Sequence, residues 1–307
     1  MNMENKIPGR EAIRTRGWFA AYKWLILRRF SQFGIIGLFM LGPWFGLWIV
    51  KGNLSSSLTL GVLPLTDPYL LLQSLFGGHG LEKTALIGAA IVIVFYLVVG
   101  GRSYCSWVCP INIVTDMAHW LRERLGIRTK MKPSPATRYW VLGMTLVVSA
   151  VTGTLAWEMV NPISMLHRGL IFGIGLAWAV VLMVFLFDLV VAKRGWCSHL
   201  CPVGAFYGLI GLRSLLRVKA TARELCNDCM DCYAVCPEPQ VIAPALKGAA
   251  KGIGPIIQSS NCTNCGRCVD VCSVDVFSFA SRFNNQTDVV GAGKTDNVMS
   301  PRRTEVA

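Results

Sequence analysis

Apolar residues gather along this chain into four long blocks, at 33–50, 84–101, 139–157 and 169–191, parted by segments that hold most of the Lys and Arg. About 20 residues of helix cross a bilayer core. The first block extends about 27 Å as helix, and the others are comparable or longer. Four transmembrane helices are predicted. Pro43 falls inside the first and is expected to kink it, with neighbouring helices re-satisfying the freed carbonyl. The fourth is long enough to tilt. Trp157, Trp196, Trp107 and Tyr104 stand near block ends, where interface aromatics belong.

Basic residues set the orientation. Lys6, Arg10, Arg14, Arg16, Lys23, Arg28 and Arg29 precede the first block, and Arg122, Arg124, Arg128, Lys130, Lys132 and Arg138 lie between the second and third. Lys193, Arg194, Arg213, Arg217 and Lys219 follow the fourth, whereas the other two connections hold Lys51, Lys83 and Arg168. The positive-inside rule then places both termini in the cytoplasm. Arg28-Arg29-Phe30-Ser31 reads as a flank and not as a twin-arginine signal, because three more blocks follow. The first block is long for a signal h-region, and no small-x-small site follows it.

Composition agrees: 53% hydrophobic and 15% charged is too apolar for an ordinary soluble domain. The net charge of +13 flanks the apolar blocks and lines no aromatic groove, which argues against nucleic acid.

An internal two-fold repeat is visible. Asp67-Pro68 precedes Cys105, and Asn161-Pro162 precedes Cys197, at nearly equal distances. Each stretch runs through an apolar block into Cys-x-x-x-Cys-Pro. Ile111, Val114, Met117, Ala118, Leu121 and Leu125 then recur at helical spacing, as in a helix on the membrane surface or an ordinary packed amphipathic one.

All 12 cysteines fall in short-range sets. Cys226-x2-Cys229-x2-Cys232-x3-Cys236-Pro237 is followed by Cys262-x2-Cys265-x2-Cys268-x3-Cys272, with Ser273 in place of the second proline. This is the spacing of two-cluster ferredoxins, in which the fourth cysteine of each run ligates the other cluster. One [4Fe–4S] cluster is expected on Cys226, Cys229, Cys232 and Cys272, and a second on Cys262, Cys265, Cys268 and Cys236. Paired zinc sites are the competing reading. Cys105, Cys109, Cys197 and Cys201 form the other set. An i, i+4 pair on a helix turns both thiols to one face. The four are read as a metal or cluster ligand set, a redox-active thiol pair or a quinone-adjacent relay, against simple packing. Their ligand is left open.

No Cys-x-x-Cys-His occurs, and His79, His119, His167 and His199 lie outside the blocks, so no haem relay is expected. About 30 Å of hydrocarbon separates the two faces, so electrons bound for the outer face need a quinone or a partner. Asp188, in the fourth block, is read either as a proton carrier or as a carboxylate paired with Lys193 or Arg194. His119, His199 and Asp116 are further candidate proton carriers, with Asp67, Glu82, His79, Glu158 and His167 as outer-face equivalents.

The expected fold is an α-helical integral membrane protein with a small C-terminal α+β, ferredoxin-like domain. Residues 1–32 form a cytoplasmic tail, 33–217 the four-helix membrane domain, 218–283 the two-cluster domain and 284–307 a disordered tail lacking apolar periodicity.

Four spans, two Cys-x-x-x-Cys-Pro motifs and the eight-cysteine C-terminal domain together resemble the NapH/MauN group of membrane ferredoxin-type proteins, over residues 28–283. The likeness leans toward the NapH branch, the membrane component of quinol dehydrogenases that supply a periplasmic nitrate reductase. It implies a bacterial inner-membrane location and quinol as electron donor. It also implies an outer-face iron–sulfur partner of the NapG type and periplasmic c-type cytochromes. Catalysis would belong to the complex. The competing expectation is a redox or metal-handling maturation factor for a copper or cofactor-bearing enzyme, since soft thiolates suit Cu(I). A scaffold braced by clusters is the third.

Overall fold

The computed structural model describes residues 8–127, 134, 136–173 and 175–284. Helix α1 (Arg10–Arg16) turns at Gly17 (φ 83°) into α2 (Trp18–Phe45), 28 residues long. Helix α2 ends two residues beyond Pro43, where left-handed Gly46 donates back to the Gly42 carbonyl (2.9 Å) and the next N–H, of Leu47, to that of Leu41 (3.2 Å). The first apolar block is thus the later part of a longer helix, and residues 46–50 lie outside it. Residues 10–32, expected as a tail, are largely helical. Their polar groups pack on the C-terminal domain: the Gly9 N–H donates to Asp231 (3.0 Å), and the N–H groups of Trp24 and Leu25 to the Asp270 carboxylate (3.0 and 3.1 Å).

The first connection holds a sheet that the hydrophobic pattern did not announce. Strands β1 (Val50–Gly52), β2 (Ser56–Thr59) and β3 (Leu63–Thr66) pair antiparallel in sequence order, with Val50 opposite Thr59 and Ser56 opposite Thr66. Strand β3 lies against α4 (Lys83–Val99), close enough that a Cβ on Gly88 would stand 2.9 Å from Thr66 Oγ1.

The repeat is real in three dimensions. Asp67 caps α3 (Pro68–Phe76) by accepting from Tyr69 N, and Asn161 caps α7 (Pro162–Phe172) by accepting from Ile163 N. Each cap has proline at the first helical position, where its missing N–H costs nothing. Helix α3 leads to α4, a π-helical turn (Tyr104–Val108) and α5 (Ile111–Arg124). After α6 (Thr137–Thr152), α7 leads to α8 (Gly175–Leu186), which continues as a π turn to Val191, then a second π turn (Trp196–Leu200) and α9 (Pro202–Gly211). On α5, Ile111 and Ala118 are buried while Met117 is exposed, as is the capping Leu125 that follows the helix.

The two repeats close on each other where backbone meets backbone. A Cβ on Gly101 would fall 1.9 Å from the Tyr207 carbonyl, so only glycine fits there. The shared core holds Tyr69, Tyr96, Tyr104, Trp157, Val184 and Tyr207. Trp157 and Trp196, expected at opposite interfaces, instead stack inside the molecule with centroids 6.3 Å apart. Tyr104 is likewise buried. The connection before α7 therefore turns inward.

Among the described residues α2 is the one helix both long and apolar enough to cross a membrane alone. Helices α4 (17 residues) and α6 (16 residues) reach about 24–26 Å at 1.5 Å per residue.

In the C-terminal domain β4 (Leu216–Ala220) pairs antiparallel with β5 (Phe277–Ser281), Val218 opposite Phe279. Three short helices, α10 (Asp231–Val235), α11 (Ile242–Lys247) and α12 (Arg267–Val271), lie between them in sequence. Val218, Ile242, Leu246, Ile257, Val276 and Phe277 form its own core beside the cysteines. The expected disordered tail lies, after Asn284, outside the described residues.

Candidate functional site

Cys226, Cys229, Cys232 and Cys272 line one small cavity of the C-terminal domain, and Cys236, Cys262, Cys265 and Cys268 line another. Each cavity takes three cysteines from one run and the fourth from the other. Backbone conformation explains the wrapping. The first run has left-handed residues at Asp228 (φ 55°) and Met230 (φ 64°), the second at the matching Asn264 (φ 47°) and Gly266 (φ 73°). Such residues turn a short loop back on itself, and a five-residue helix then presents Cys232 or Cys268. Gly266 also meets α2: a Cβ there would lie 2.5 Å from Trp24 Cγ.

Cys105, Cys109, Cys197 and Cys201 come together at the core of the helical domain. The two Cys-x-x-x-Cys-Pro segments form matching π turns, closed by Cys109 N to Tyr104 O and Cys201 N to Trp196 O, both 2.9 Å. Proline ends each turn and cannot donate to the carbonyl four residues back. Gln32, fully buried on α2, donates to the freed Ser106 carbonyl (3.0 Å) and to that of Cys109 (3.2 Å). Arg138 takes the same role at Ser198 (3.5 Å). The sulfurs cross between repeats: a Cβ on Gly204 of α9 would stand 3.7 Å from Cys105 Sγ, and Cys197 Sγ lies 3.9 Å from Thr115 Oγ1 of α5. Burial pushes all four thiols up, Cys201 to about 12; neighbouring thiols raise Cys109, Cys197 and Cys201 further, while Arg102 and Arg138 pull Cys105 back. Backbone N–H groups at the starts of α5 and α9 work the other way, those of Ile111 and Asn112 on Cys109 and those of Val203 and Gly204 on Cys201.

The thiol set abuts the second C-terminal cavity. Ser106 Oγ donates to Thr263 O (2.8 Å) and Trp107 Nε1 to Asn264 O (3.1 Å), joining residues between Cys105 and Cys109 to residues between Cys262 and Cys265. Glu238, two residues past Cys236, accepts from Arg102 (3.0 Å) and Arg138 (3.4 Å). All three side chains are at most 3% exposed. Arg102 also donates to the carbonyls of Asn261 (2.8 Å) and Cys197 (3.2 Å), and Arg138 to the Asn261 side chain.

A second knot gathers Arg28 (2.8 Å), Arg29 (2.5 Å) and Arg194 (3.2 Å) on Asp116. Burial alone raises this carboxyl, but the three guanidiniums outweigh it and hold the group below its ordinary value. Asp116 is thus a structural anion. The twin arginines serve this knot.

The remaining candidates stay dispersed. Asp188 is fully buried, but its carboxylate accepts from Trp196 N (2.9 Å), while Lys193 pairs with Glu123 (3.7 Å) and Arg194 with Asp116. The expected pairing with Lys193 or Arg194 is replaced because the π turn points the carboxylate at the next turn's backbone. Burial and the charges of Arg194 and Lys193 lower His119 to about 3, and its Nε2 faces Glu123 (3.3 Å). His199 Nδ1 is buried with no partner among the described residues. Of the outer candidates, His79 meets Gly153 O (2.9 Å), Glu158 bonds Ser55, Asn161 and Ser164, and His167 packs edge-on against Phe39. Asp67 alone stands beside the tyrosines of the core. Its Oδ1 accepts from Tyr69 N and from Tyr207 OH, both 3.1 Å.

Glu238, Arg102, Arg138 and Gln32 had no role in the sequence reading beyond charge counting. The partners named above stand 60 to 159 residues away, and no local spacing marks them.

Comparison with known proteins finds iron–sulfur families on the segments that carry these cysteines. A family described as "4Fe-4S binding domain" matches twice, at residues 83–128 and 174–220, each match containing one Cys-x-x-x-Cys-Pro. A "4Fe-4S dicluster domain" matches residues 225–276. The methylamine utilization ferredoxin-type protein MauN of Paracoccus denitrificans is 56% identical over 88% of this chain and 95% of its own length. The ferredoxin-type protein NapH of Escherichia coli is 49% identical over 90% of this chain and 96% of its own length. This chain belongs to the NapH/MauN family of ferredoxin-type iron–sulfur proteins. MauN of Methylorubrum extorquens, at 53% over 89% of the chain, and the NapH match are of the same extent, so likeness alone does not select the NapH branch. No solved structure matches.

Proposed function

We propose that this NapH/MauN-type protein crosses the bacterial inner membrane four times and carries electrons from membrane quinol as the redox subunit of a quinol dehydrogenase. Support for four spans comes from surface chemistry. Helices α2, α4, α6 and α8 all expose large apolar side chains, among them Phe33, Val94, Phe95, Trp140, Val151 and Leu182. A soluble monomer seldom shows so much contiguous apolar surface. Lys and Arg crowd one end of these helices, which argues for cytoplasmic termini.

The observation that carries the redox reading is the Ser106–Thr263 and Trp107–Asn264 contact, with the Arg102–Glu238 pair beside it. It joins three sulfur sets end to end. The donor chemistry fits iron–sulfur clusters. Each set offers four cysteines, the ligand number of such a cluster. In this reading Cys226, Cys229, Cys232 and Cys272 hold one [4Fe–4S] cluster, and Cys236, Cys262, Cys265 and Cys268 the second. Cys105, Cys109, Cys197 and Cys201 hold a third thiolate-bound centre, for which Arg102 and the starts of α5 and α9 supply compensating positive potential. A bound [4Fe–4S] cluster supplies one-electron exchange. The protein's own groups fix the order of the sets and keep water from them. Onward transfer goes to an outer-face partner of the NapG type and c-type cytochromes. By the NapH likeness, a periplasmic nitrate reductase is the terminal acceptor.

The test is anaerobic purification, iron analysis and titration with a quinol analogue. About twelve irons per chain are expected, falling to about eight in the Cys105→Ser, Cys201→Ser double variant. Clusters that stay oxidised under excess quinol, with and without the partner, end the quinol reading. A second reading, a maturation factor that reduces a metal on the same four thiols, rests on the suitability of soft thiolates for Cu(I). One copper per chain, lost in that double variant, would select it.

A further inference from the structure

We infer that the apolar cavity between α2, α4 and the β1–β3 sheet is where the quinol ring binds, with the Asp67 carboxylate at its inner end taking a proton from a quinol hydroxyl. This deepens the quinol reading and rests on it.

The cavity measures about 490 Å³, inside the range of sites that enclose small organic molecules. Phe39, Leu65, Ile91 and Phe95 wall it, and its polar end is Asp67 with Tyr96, Tyr104 and Tyr207. A ring with two hydroxyls and an isoprenoid tail matches that division. The apolar walls suit the tail, and a few convergent polar groups meet the head.

Asp67 is placed for proton transfer. Its Oδ1 already accepts from Tyr69 N and Tyr207 OH, and among the described residues Oδ2 accepts nothing. The side chain is only partly covered and lines the cavity. Tyr104 stacks on Tyr207 (centroids 4.6 Å, planes 9° apart), and Tyr96 meets both edge-on at 5.9 and 5.0 Å. Tyr104 is the residue before Cys105, so the polar end adjoins the thiol set.

The repeat supplies an internal control. The position that caps α7 is Asn161, and it accepts from Ile163 N at 3.1 Å as Asp67 accepts from Tyr69 N. An amide suffices for the cap. At the capping position itself the carboxylate occurs only in the repeat that faces the cavity; in the other repeat the nearby carboxylate, Glu158, is engaged by the Asn161 amide (3.0 Å) and Ser164. The larger cleft of about 960 Å³, between α2 and the C-terminal domain, has no such group. Its acid, Asp270, is engaged by Trp24 N, Leu25 N and Arg267.

The chemistry balances as follows. Two O–H bonds of the hydroquinone break and two C=O bonds form. One proton goes to Asp67 Oδ2 and the other to water. The two electrons go singly to two oxidised iron–sulfur centres, which are thereby reduced.

The test uses full-length, cluster-loaded protein in nanodiscs. Asp67→Asn keeps the cap and the Tyr207 bond but removes the base. Reduction of the clusters by a short-chain quinol, followed by EPR, should slow at least tenfold in D67N, with dithionite reduction and iron content unchanged. Independently, a photoreactive azidoquinone should label peptides of the β1–β3 sheet, which line this cavity and not the larger cleft, with unlabelled quinone competing. Equal quinol rates in wild type and D67N, or labelling confined to the α2–C-terminal cleft, overturn the inference and leave the quinol reading standing. If wild-type clusters are not reduced by quinol at all, both fall.

Discussion

Replacing Glu238 by alanine tests whether the C-terminal domain is held on the helical domain by a buried charge. Its Oε1 serves two guanidiniums, Arg102 at 3.0 Å and Arg138 at 3.4 Å, with exposures of 2% and 0%. Removing one partner of a buried ion pair costs about 3–5 kcal/mol, because the remaining charge stays desolvated. Here the loss belongs near the lower end, about 3 kcal/mol, since Asn261 goes on accepting from both arginines. For a domain of this size that corresponds to a fall in melting temperature of about 6–12 °C. The assay is thermal unfolding of purified cluster-loaded protein, followed by cluster absorbance and tryptophan fluorescence at low and high salt. Burial shields the pair from screening, so the shift should persist at both salt concentrations. Glu238→Gln, which keeps an acceptor but no charge, should fall between wild type and alanine. A melting point within about 2 °C of wild type, or a shift that vanishes in high salt, refutes the clamp.

Asp116→Asn should be less stable than wild type at pH 7, because three arginines favour the ionised carboxylate. A carboxyl depressed in the folded state contributes fully above its unfolded pKa of about 3.9 and loses that contribution as pH falls through the lower folded value. The gap between wild type and variant, measured by denaturant unfolding, should therefore be constant above about pH 5 and close below about pH 4; a gap independent of pH defeats the assignment. Gly101→Ala should not give folded protein, since its Cβ would meet Tyr207 O at 1.9 Å and Gly211 N at 2.4 Å, both backbone. Gly143→Ala, which meets nothing within 4 Å, should fold normally in parallel expression and gel-filtration trials; equal yields of the two would contradict the packing.

The grouping of the eight cysteines into two sets of four was legible without coordinates because short loops between close cysteines leave the sulfurs few places to go. The crossing of the fourth cysteines shows the same stiffness, with left-handed residues at matching positions of both runs. The repeat was legible too, through its proline-marked caps. Less readable was the first connection, whose three-stranded sheet no hydrophobic pattern announced, since its strands are only three or four residues long. The aromatic reading failed at Trp157 and Trp196. Position along the chain placed them at opposite faces, but an inward-turning connection stacked them.

Sequence by itself determined what local chain geometry can impose: eight sulfurs in two interleaved sets, four apolar stretches with their basic flanks, and two Cys-x-x-x-Cys-Pro turns. Tertiary structure alone decided what those pieces meet. It brought Cys105 and Cys109 to Cys197 and Cys201, set Glu238 between Arg102 and Arg138, turned Asp188 away from its neighbouring cations, and laid Asp67 against Tyr207, 140 residues distant. The physical reason is range. Loop closure over a few residues follows from backbone sterics, whereas contacts across a hundred residues exist only once helix packing and the desolvation of polar groups have selected one arrangement.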